Sequence, residues 1–269
     1  MVAGVRMTPA SALRAIAMVV VLVPVSRLEC QDWRSFKPSL KAQSQKLEPI
    51  EASMLLRAFC EAEPKVVAGI GLECRVRALD PAFNDIIDNT FHPVGVTFGH
   101  FLGPASEDAA VNGWSAETHP YRWGGTLLLT KRDAKWKPLW YKSALIVHSC
   151  EKMATPDSRE ILLCEDEDGG MGHRLHYLYA VDLRHPADLG KTLLTRAESF
   201  EDSCTVQQQI MDAVHWMDQH RGFSVTVRTT EWRRGSVTDC WGIVATRPPS
   251  SVRLQFAVAN DGVQIAKAR

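Results

Sequence analysis

Cysteine spacing is the feature that most restricts how this chain folds. Cys150 and Cys164 flank the segment EKMATPDSREILL, which contains the turn sequence TPDS (155–158) with proline at its second position. If strands run on both sides of that turn, residues whose numbers sum to about 313 face each other, and a single bulge brings the two cysteines opposite each other. Directly opposed residues of an antiparallel pair lie about 4.5 to 5.5 Å apart at Cα, within disulfide range. The spacing therefore predicts a Cys150–Cys164 disulfide across a β-hairpin.

The other cysteines are paired by the same nearest-neighbour reasoning. Cys60 and Cys74 repeat the separation of fourteen residues, and the remaining late pair is Cys204 with Cys240. Cys30 is then left without a partner. Six cysteines allow many connectivities, so this pairing is one solution among several. No Cys-x-x-Cys occurs in the sequence, which argues against a thioredoxin-type redox site and against a zinc ribbon.

Apolar residues alternate with polar ones along much of the chain. The segments LHYLYAVDL and SVRLQFAVAN show this most clearly, and FSVTVRTT and GVTFGHF are shorter examples. The residues that share one face are Leu175, Tyr177, Tyr179, Val181 and Leu183 in the first segment, and Val252, Leu254, Phe256 and Val258 in the second. Several such strands with turn residues between them predict a mainly β protein built of antiparallel meander sheets.

Two segments have helical rather than strand spacing. A short N-terminal helix is predicted in LEPIEASMLLRAFCEAEP, where Pro49 suits the first turn and Pro64 ends the run. The residues at helical spacing there are Ile50, Met54, Leu55 and Ala58. A second helix is predicted in TVQQQIMDAVHWMDQ, although its neighbours are strands. The residues that fit helical spacing there are Val206, Ile210, Val214 and Met217.

The start of the chain has the layout of a secretory signal peptide. Arg6 and Arg14 precede an apolar stretch over residues 15–25, which small and polar residues follow. The apolar stretch is shorter than the roughly 18 residues that a membrane span needs, and the alternative is a first buried helix. Translation starts at Met1 or Met7. We expect signal removal, no further transmembrane segment, and a secreted or periplasmic protein.

Composition and charge limit the classes of partner. The chain has 45% hydrophobic and 23% charged residues, which is typical of a globular protein. Without its first 26 residues it carries 29 basic and 31 acidic side chains, so charge gives no reason to expect nucleic acid or an anionic membrane as partner. The predicted organisation is a signal peptide at 1–26, a linker at 27–46, a helix with the first disulfide-linked segment at 47–92, and an antiparallel β domain at 93–269.

A loose repeat of roughly 45 residues lies in the range of propeller blades. The stretch GHFLGPASEDAAV resembles the first two strands of an FG-GAP-type β-propeller blade, in which Gly-x-Phe is followed by an acidic turn and an apolar strand. The resemblance covers about a blade and a half and implies a partial propeller with blade-like strand order. The calcium loop of that family is absent after Phe101, where the chain reads LGPASED, so the resemblance implies no function.

The acidic run EDEDGG at 165–170 does not fit the pattern of a helix-loop-helix calcium loop. When Gly169 is aligned with the invariant glycine of a helix-loop-helix calcium loop, the first ligand position falls on a cysteine and the twelfth on a leucine. A non-standard calcium site at Asp166 and Asp168 is the alternative. We favour a solvated hairpin end, in which Gly169 and Gly170 permit positive φ angles. No metal or cofactor is predicted.

Aromatic residues are concentrated in NGWSAETHPYRWGG and KWKPLWY. Flat rings with hydrogen-bonding neighbours suit a sugar ring or the anchor residues of a protein partner. The candidate binding residues are Trp114, Tyr121, Trp123, Trp136, Trp140 and Tyr141. The alternative is core packing, because Trp136 and Trp140 share one strand parity and Pro138 between them is compatible with an edge strand that packs both rings inward.

Carboxylates and histidines also cluster near residues 100–119. His100, Asp108, Glu117 and His119 have the side chains that general acid and base catalysis uses. His100 shares strand parity with Phe98, which predicts a half-buried structural residue instead. The sequence therefore favours an exported, disulfide-stabilised β protein that acts as a non-enzymatic binding or surface-associated module, with a protein or carbohydrate ligand. The alternative is a secreted hydrolase that uses residues 100–119.

The position of signal removal can be measured directly. We expect mass spectrometry of the exported protein to find its N-terminus between about residues 25 and 30. An intact Met1 in the exported form would contradict the signal peptide.

Overall fold

The computed structural model describes residues 39–77, 89–115, 124–170, 173–185, 191–199, 205–211, 213–217, 220–234, 243–245 and 250–268. Lys37–Arg269 form one compact unit. The predicted signal peptide lies outside the described residues, as do Cys30, Glu117, His119, Tyr121, Trp123, Cys204 and Cys240. The domain boundaries stay predictions.

The described chain is mainly β and antiparallel, as predicted, with a single short helix among the described residues. The elements of the first half are β1 Gln45–Lys46, α1 Pro49–Leu56, β2 Lys65–Val67, β3 Gly71–Arg75, β4 Thr90–Gly99, β5 Asp108–Trp114, β6 Gly125–Arg132 and β7 Lys135–Ser143. These strands form a seven-stranded sheet in the order β2-β3-β4-β5-β6-β7, with β1 paired to β4.

The second half forms a ten-stranded sheet. Its elements are β8 Cys150–Ala154, β9 Glu160–Gly170, β10 His173–Val181, β11 Lys191–Ser199, β12 Thr205–Met211, β13 His215–Met217, β14 Gly222–Arg234, β15 Ile243–Ala245, β16 Ser250–Ala259 and β17 Gly262–Ala268. The order is β17-β16-β14-β12-β11-β10-β9-β8, and β13 and β15 also pair with β14. The sheet curls on itself, and Lys191 of β11 donates to the Val263 carbonyl of β17 at 3.2 Å across the curl.

Alternation along the strands divides the core into three layers. In β5 and β6, Ala109, Val111, Leu127 and Leu129 face α1, whereas Ala110 and Leu128 face the second sheet. In β9 and β10, Leu162, Cys164, Tyr179 and Val181 join that layer between the sheets, and Ile161, Leu163, Leu178 and Ala180 fill the curl of the second sheet. Strands buried on both faces need continuous apolar runs, which explains GTLLL and EILL.

The predicted one-face residues of β10 and β16 behave as expected where they are described. Tyr179, Val181 and Leu183 are buried in the layer between the sheets, and Tyr177 packs against it. Phe256 and Val258 are buried in the curl, with Leu254 packed against them. Val252 is 43% exposed because it lies near the beginning of its strand. The alternation of apolar residues in the sequence therefore predicts the buried faces of β10 and β16 correctly where they are described.

Helix α1 is confirmed, but its buried face differs from the predicted spacing. Ile50 and Met54 are exposed, whereas Leu55 is buried together with Ala52 and Leu56. The helix is two turns long, and its buried residues belong to the core layer that it shares with β5, β6 and Tyr141 of β7. Phe59, just after the helix, completes the buried surface.

The second predicted helix is wrong. Residues 205–211 form β12 and residues 215–217 form β13, and both pair with β14. β14 presents a long row of backbone hydrogen-bonding groups, with which residues 205–211 and 215–217 pair. Helical spacing of a few apolar residues does not outweigh that tertiary pairing.

Both disulfides that fall on described residues are confirmed. Cys150 lies directly opposite Cys164 in the β8–β9 hairpin, with their Cα atoms 4.0 Å apart, and Cys60 is bonded to Cys74. The predicted bulge is not needed. The connection between the two strands is residues 155–159, one residue longer than the predicted turn, and this extra residue brings Cys150 opposite Cys164. Ser158 takes a positive φ of 64° in that turn.

Arg159, at the end of the same turn, is the largest fully buried side chain of the described residues. Its guanidinium donates to the Asp157 carboxylate at 3.1 Å, to both oxygens of Asp182 at 3.3 and 3.4 Å, to the Phe101 carbonyl at 3.2 Å and to the Asn260 carbonyl at 2.6 Å. A guanidinium has five N–H donors, so every donor has an acceptor. This buried charge is both paired and fully hydrogen-bonded, which is the condition under which burial is tolerated.

Asp182 is held ionised by the same network. Burial raises the pKa of Asp182. Hydrogen bonds from Arg184 and the charges of Arg159 and Arg184 lower the pKa by more than burial raises it, so the net pKa is below its ordinary value of 3.8. Arg184 Nη2 lies 2.7 Å from Asp182 and 3.1 Å from the Asn260 carbonyl. The network thus joins the β8–β9 turn, the end of β10 and the β16–β17 turn.

None of the described helices is long and apolar enough to cross a membrane.

The two disulfides close loops of equal length, which allows a matched comparison. The chain-entropy model gives about 3 kcal/mol for a loop of about 15 residues. Replacement of Cys150 and Cys164 by Ala should lower the free energy of unfolding by about that amount, and the same change at Cys60 and Cys74 should cost about the same. Urea denaturation measures both. No loss in the Cys150/Cys164 variant, or non-reducing peptide maps that join Cys150 to another cysteine, would contradict the hairpin.

Acid should weaken the Arg159 network. Because the pKa of Asp182 is lowered in the folded state, its contribution is fully present above about pH 4 and is lost as the pH falls through the folded value. The pKa of Asp157 is also lowered, mainly by a hydrogen bond from the Thr155 hydroxyl, so protonation of Asp157 in acid lowers the stability in the same direction.

The variant Asp182→Asn should be less stable than the wild type at pH 7 and should show a shallower loss of stability between about pH 4 and pH 2. Urea denaturation at several pH values measures the slope. Asp133→Asn, in the exposed β6–β7 turn, is the control for the substitution itself. An unchanged acid slope in Asp182→Asn would show that Asp182 does not titrate with unfolding.

Candidate functional site

An open cleft lies where the two sheets meet, at the end of β4 and beside β7, β8 and β9. Its volume is about 430 Å³. It is lined by Phe98, Gly99, His100, Glu107, Asp108, Trp136, Lys152 and Glu160. We call it the Trp136 cleft. The β4–β5 connection, residues 100–107, forms one side of it, so the geometry of that loop decides the shape of the site.

Asp108 holds the 100–107 loop in place. Its Oδ2 accepts hydrogen bonds from the backbone N–H of Phe101 at 2.8 Å and of Leu102 at 2.9 Å, and from the Ser106 hydroxyl at 2.5 Å. The residue is 1% exposed, and its Oδ1 is buried with no hydrogen-bond partner among the described residues. One oxygen of Asp108 therefore holds the loop, and the other is buried without a hydrogen bond.

Glu160 connects the two sheets at the cleft. Its Oε2 accepts from the His100 N–H at 2.8 Å, and its own N–H donates to the His100 carbonyl at 3.0 Å. Its Oε1 lies 3.2 Å from Lys152 Nζ, which also donates to the Phe98 carbonyl at 3.2 Å. The Lys152 ammonium is thereby oriented across β4, and the Glu160 carboxylate is engaged on both oxygens.

His100 lines the cleft beside the loop. Its Nδ1 contacts the Ser106 carbonyl, which can only accept, so Nδ1 carries a proton, and Nε2 is an acceptor whenever the ring is neutral. The prediction that His100 is half-buried is wrong, because it lies beyond the end of β4 and is exposed.

Phe98 and Trp136 form the aromatic wall. Their ring centroids are 6.0 Å apart and the ring planes are tilted by 46°. Lys131 places its ammonium 5.9 Å from the Trp136 ring centroid and 2.6 Å from Glu107 Oε2. Trp136 is half-buried, so part of its surface remains available at the cleft.

The four proposed aromatic residues that the structure describes do not lie together. Tyr141 is buried in the layer beneath α1, and Trp136 packs against the same layer. Trp140 packs against the layer between the sheets, because the β7 residue Leu139 forms a bulge that reverses the parity after Pro138. The shared parity of Trp136 and Trp140 is therefore wrong, whereas the position of β7 at the sheet edge is confirmed. Trp114 stacks on the His92 ring, with centroids 3.7 Å apart.

The predicted acid and base cluster is brought together only in part. His100 and Asp108 both line the Trp136 cleft, while Glu117 and His119 lie outside the described residues. Sequence reasoning missed Lys152 and Glu160, which come from the β8–β9 hairpin about fifty residues later. No sequence signal links them to His100, because the backbone pairing of His100 with Glu160 joins two different sheets.

The acidic residues 165–168 lie within β9, near the end of its pairing with β10, which extends to Gly170 opposite His173. The Glu165 carboxylate accepts from the backbone N–H groups of Ser39 and Leu40 at 2.5 and 3.0 Å. Within the described part of the chain, no group of three or more His, Cys, Asp or Glu side chains is arranged to hold a metal ion. The calcium alternative at Asp166 and Asp168 stays a prediction.

No protein-family model matches this chain, and neither a curated protein nor a solved structure matches it. The resemblance to FG-GAP-type blades therefore stays a prediction.

Two glycines of the cleft segment provide a test of how tightly it is packed. A Cβ on Gly99 would lie 2.6 Å from Glu160 Oε2 and 2.6 Å from the ring of Phe101, which is fully buried and cannot move away. Gly99→Ala should therefore destabilise the protein by about 1 to 3 kcal/mol. Gly103→Ala is the matched control, since a Cβ there meets nothing within 4 Å. Thermal denaturation measures both, and equal stability of the two variants would contradict the packing described.

Proposed function

We propose that this protein is a non-enzymatic binding module that holds its ligand in the Trp136 cleft. The observation that carries the proposal is the combination of an open cleft of about 430 Å³ with an aromatic wall and convergent polar groups. Pockets of this size that combine apolar walls with a few placed polar groups are the usual form of a small-ligand site. The ligand is a small molecule or an anchoring side chain of a partner, from the protein or carbohydrate classes predicted above.

The engagement of the carboxylates favours binding over hydrolysis. Asp108 Oδ2 already accepts from three donors, and both oxygens of Glu160 have protein partners. A general acid or base must be within hydrogen-bond reach of the reacting proton, and a carboxylate that holds its own loop is poorly placed to leave it. The hydrolase alternative therefore has no specific observation in its favour at this cleft.

We also propose that the protein works outside the cytoplasm. Two disulfides link buried cysteines, and such bonds persist in oxidising compartments. This fits the signal-like start of the sequence. A secreted or periplasmic binding module is the function that these features support together.

Two tryptophans of one strand allow a matched test. The probes are a neutral glucose trisaccharide and Nα-acetyl-lysine methylamide, titrated against the disulfide-bonded protein and followed by tryptophan fluorescence. We expect Trp136→Ala to abolish binding of whichever probe binds, because that ring forms the wall of the cleft. Trp140→Ala should keep the affinity while losing some stability, because Trp140 packs between the sheets. Binding that survives in Trp136→Ala, or the failure of both probes to bind the wild type, would contradict the proposal.

A further inference from the structure

We infer that the ligand of the Trp136 cleft carries a cationic group of the ammonium kind, such as a lysine side chain of a protein partner. The inference rests on the proposed function, since it names the chemistry of the same site. It is carried by three observations on the lining, which are its charge, its surplus of acceptors, and an internal ammonium that already uses the same two side chains.

The lining has more negative than positive charge. Glu107, Asp108 and Glu160 contribute three carboxylates, and Lys152 contributes the one ammonium. With Lys131 beside the cleft counted as well, the carboxylates still outnumber the ammonium groups. Asp108 adds to the negative potential from below rather than by contact, because its unpartnered Oδ1 is buried. A cleft with walls of low dielectric strengthens such a potential, so it attracts cations and disfavours phosphates and carboxylates.

The groups that face the cleft are also mostly acceptors. Lys152 Nζ is occupied by Glu160 and by the Phe98 carbonyl, so it has limited capacity to donate to a ligand. When the His100 ring is neutral, its Nε2 is an acceptor, because the Ser106 carbonyl accepts the hydrogen bond of the proton on Nδ1. The Glu107 carboxylate is an acceptor on the exposed rim. A ligand that complements this set must be rich in donors, and an ammonium group has three donors and no acceptor.

Lys131 shows that the site has the right chemistry for such a group. Its ammonium pairs with Glu107 and lies at the ring of Trp136, and both of those residues line the cleft. Cations are attracted to the face of an indole ring, most strongly when water is partly excluded. A ligand ammonium would bind through the same two side chains. Lys131 is therefore an internal competitor whose removal should help a cationic ligand.

The test uses a charged probe and its neutral counterpart. Nα-acetyl-lysine methylamide carries the ammonium, and Nα,Nε-diacetyl-lysine methylamide has the same backbone without the charge. Binding to the full disulfide-bonded protein is followed by the indole N–H signal of Trp136, which the spectrum of Trp136→Ala identifies. We expect the charged probe to bind at least about tenfold more tightly than the neutral one at low salt, because hydrogen bonds to charged groups are the stronger kind.

Two substitutions separate the roles of the rim residues. Glu107→Gln should weaken binding of the charged probe about tenfold, since it removes the carboxylate while keeping the shape. Lys131→Met should tighten it several-fold, because the competing ammonium is lost and the aliphatic stem is retained. Lys135→Met, in the same β6–β7 hairpin, is the matched control and should leave the affinity unchanged.

The outcomes distinguish this inference from the proposed function. Equal binding of the two lysine probes, or weaker binding in Lys131→Met, would overturn the cationic ligand. If only the neutral glucose trisaccharide binds, and Trp136→Ala abolishes that binding, the binding module stands and the ligand is a sugar, so this inference is overturned. If no probe reaches the Trp136 signal, both the cleft as a binding site and its cationic ligand fail.

Discussion

The buried guanidinium of Arg159 is the interaction on which the described fold depends most. It occupies all five of its donors with acceptors from the β8–β9 turn, the β4–β5 connection, the end of β10 and the β16–β17 turn. A charge in this position is tolerated only while every partner is present, because an unpaired buried charge costs several kcal/mol. Those segments are thereby required to fold together. The same side chain contacts the cleft loop through the Phe101 carbonyl.

The Trp136 cleft is a consequence of that arrangement. Arg159 binds the carbonyl of Phe101, Asp108 binds its N–H, and Glu160 binds the neighbouring His100 N–H. The loop that forms one side of the cleft is therefore held from both sheets by charged groups. Such anchoring limits the reorganisation that ligand binding would require, which favours a preformed site. Most carboxylates near the cleft therefore hold the fold, whereas the Glu107 carboxylate lies on the exposed rim.

The layered core shows how the sheets share the burial of apolar surface. The alternating residues of β5, β6, β9 and β10 face different layers, so a single strand contributes to two cores. The Cys150–Cys164 bond lies in the layer between the sheets and joins the strands that carry Lys152 and Glu160. The disulfide thus stabilises the hairpin that completes the cleft. The same hairpin therefore contributes both to the interface between the sheets and to the lining of the cleft.

The sequence by itself determined the antiparallel β class, the short helix, and the pairing of Cys150 with Cys164 and of Cys60 with Cys74, because periodicity, turn residues and loop length are local properties. It also pointed to Trp136, His100 and Asp108. It misjudged the 205–217 segment, the parity of Trp140 and the exposure of His100, because strand pairing and bulges are decided by neighbouring strands. Only the tertiary structure placed Lys152 and Glu160 beside His100 and buried Arg159 among its partners. Contacts between different sheets produce no periodic pattern along the sequence, so local sequence patterns could not predict them.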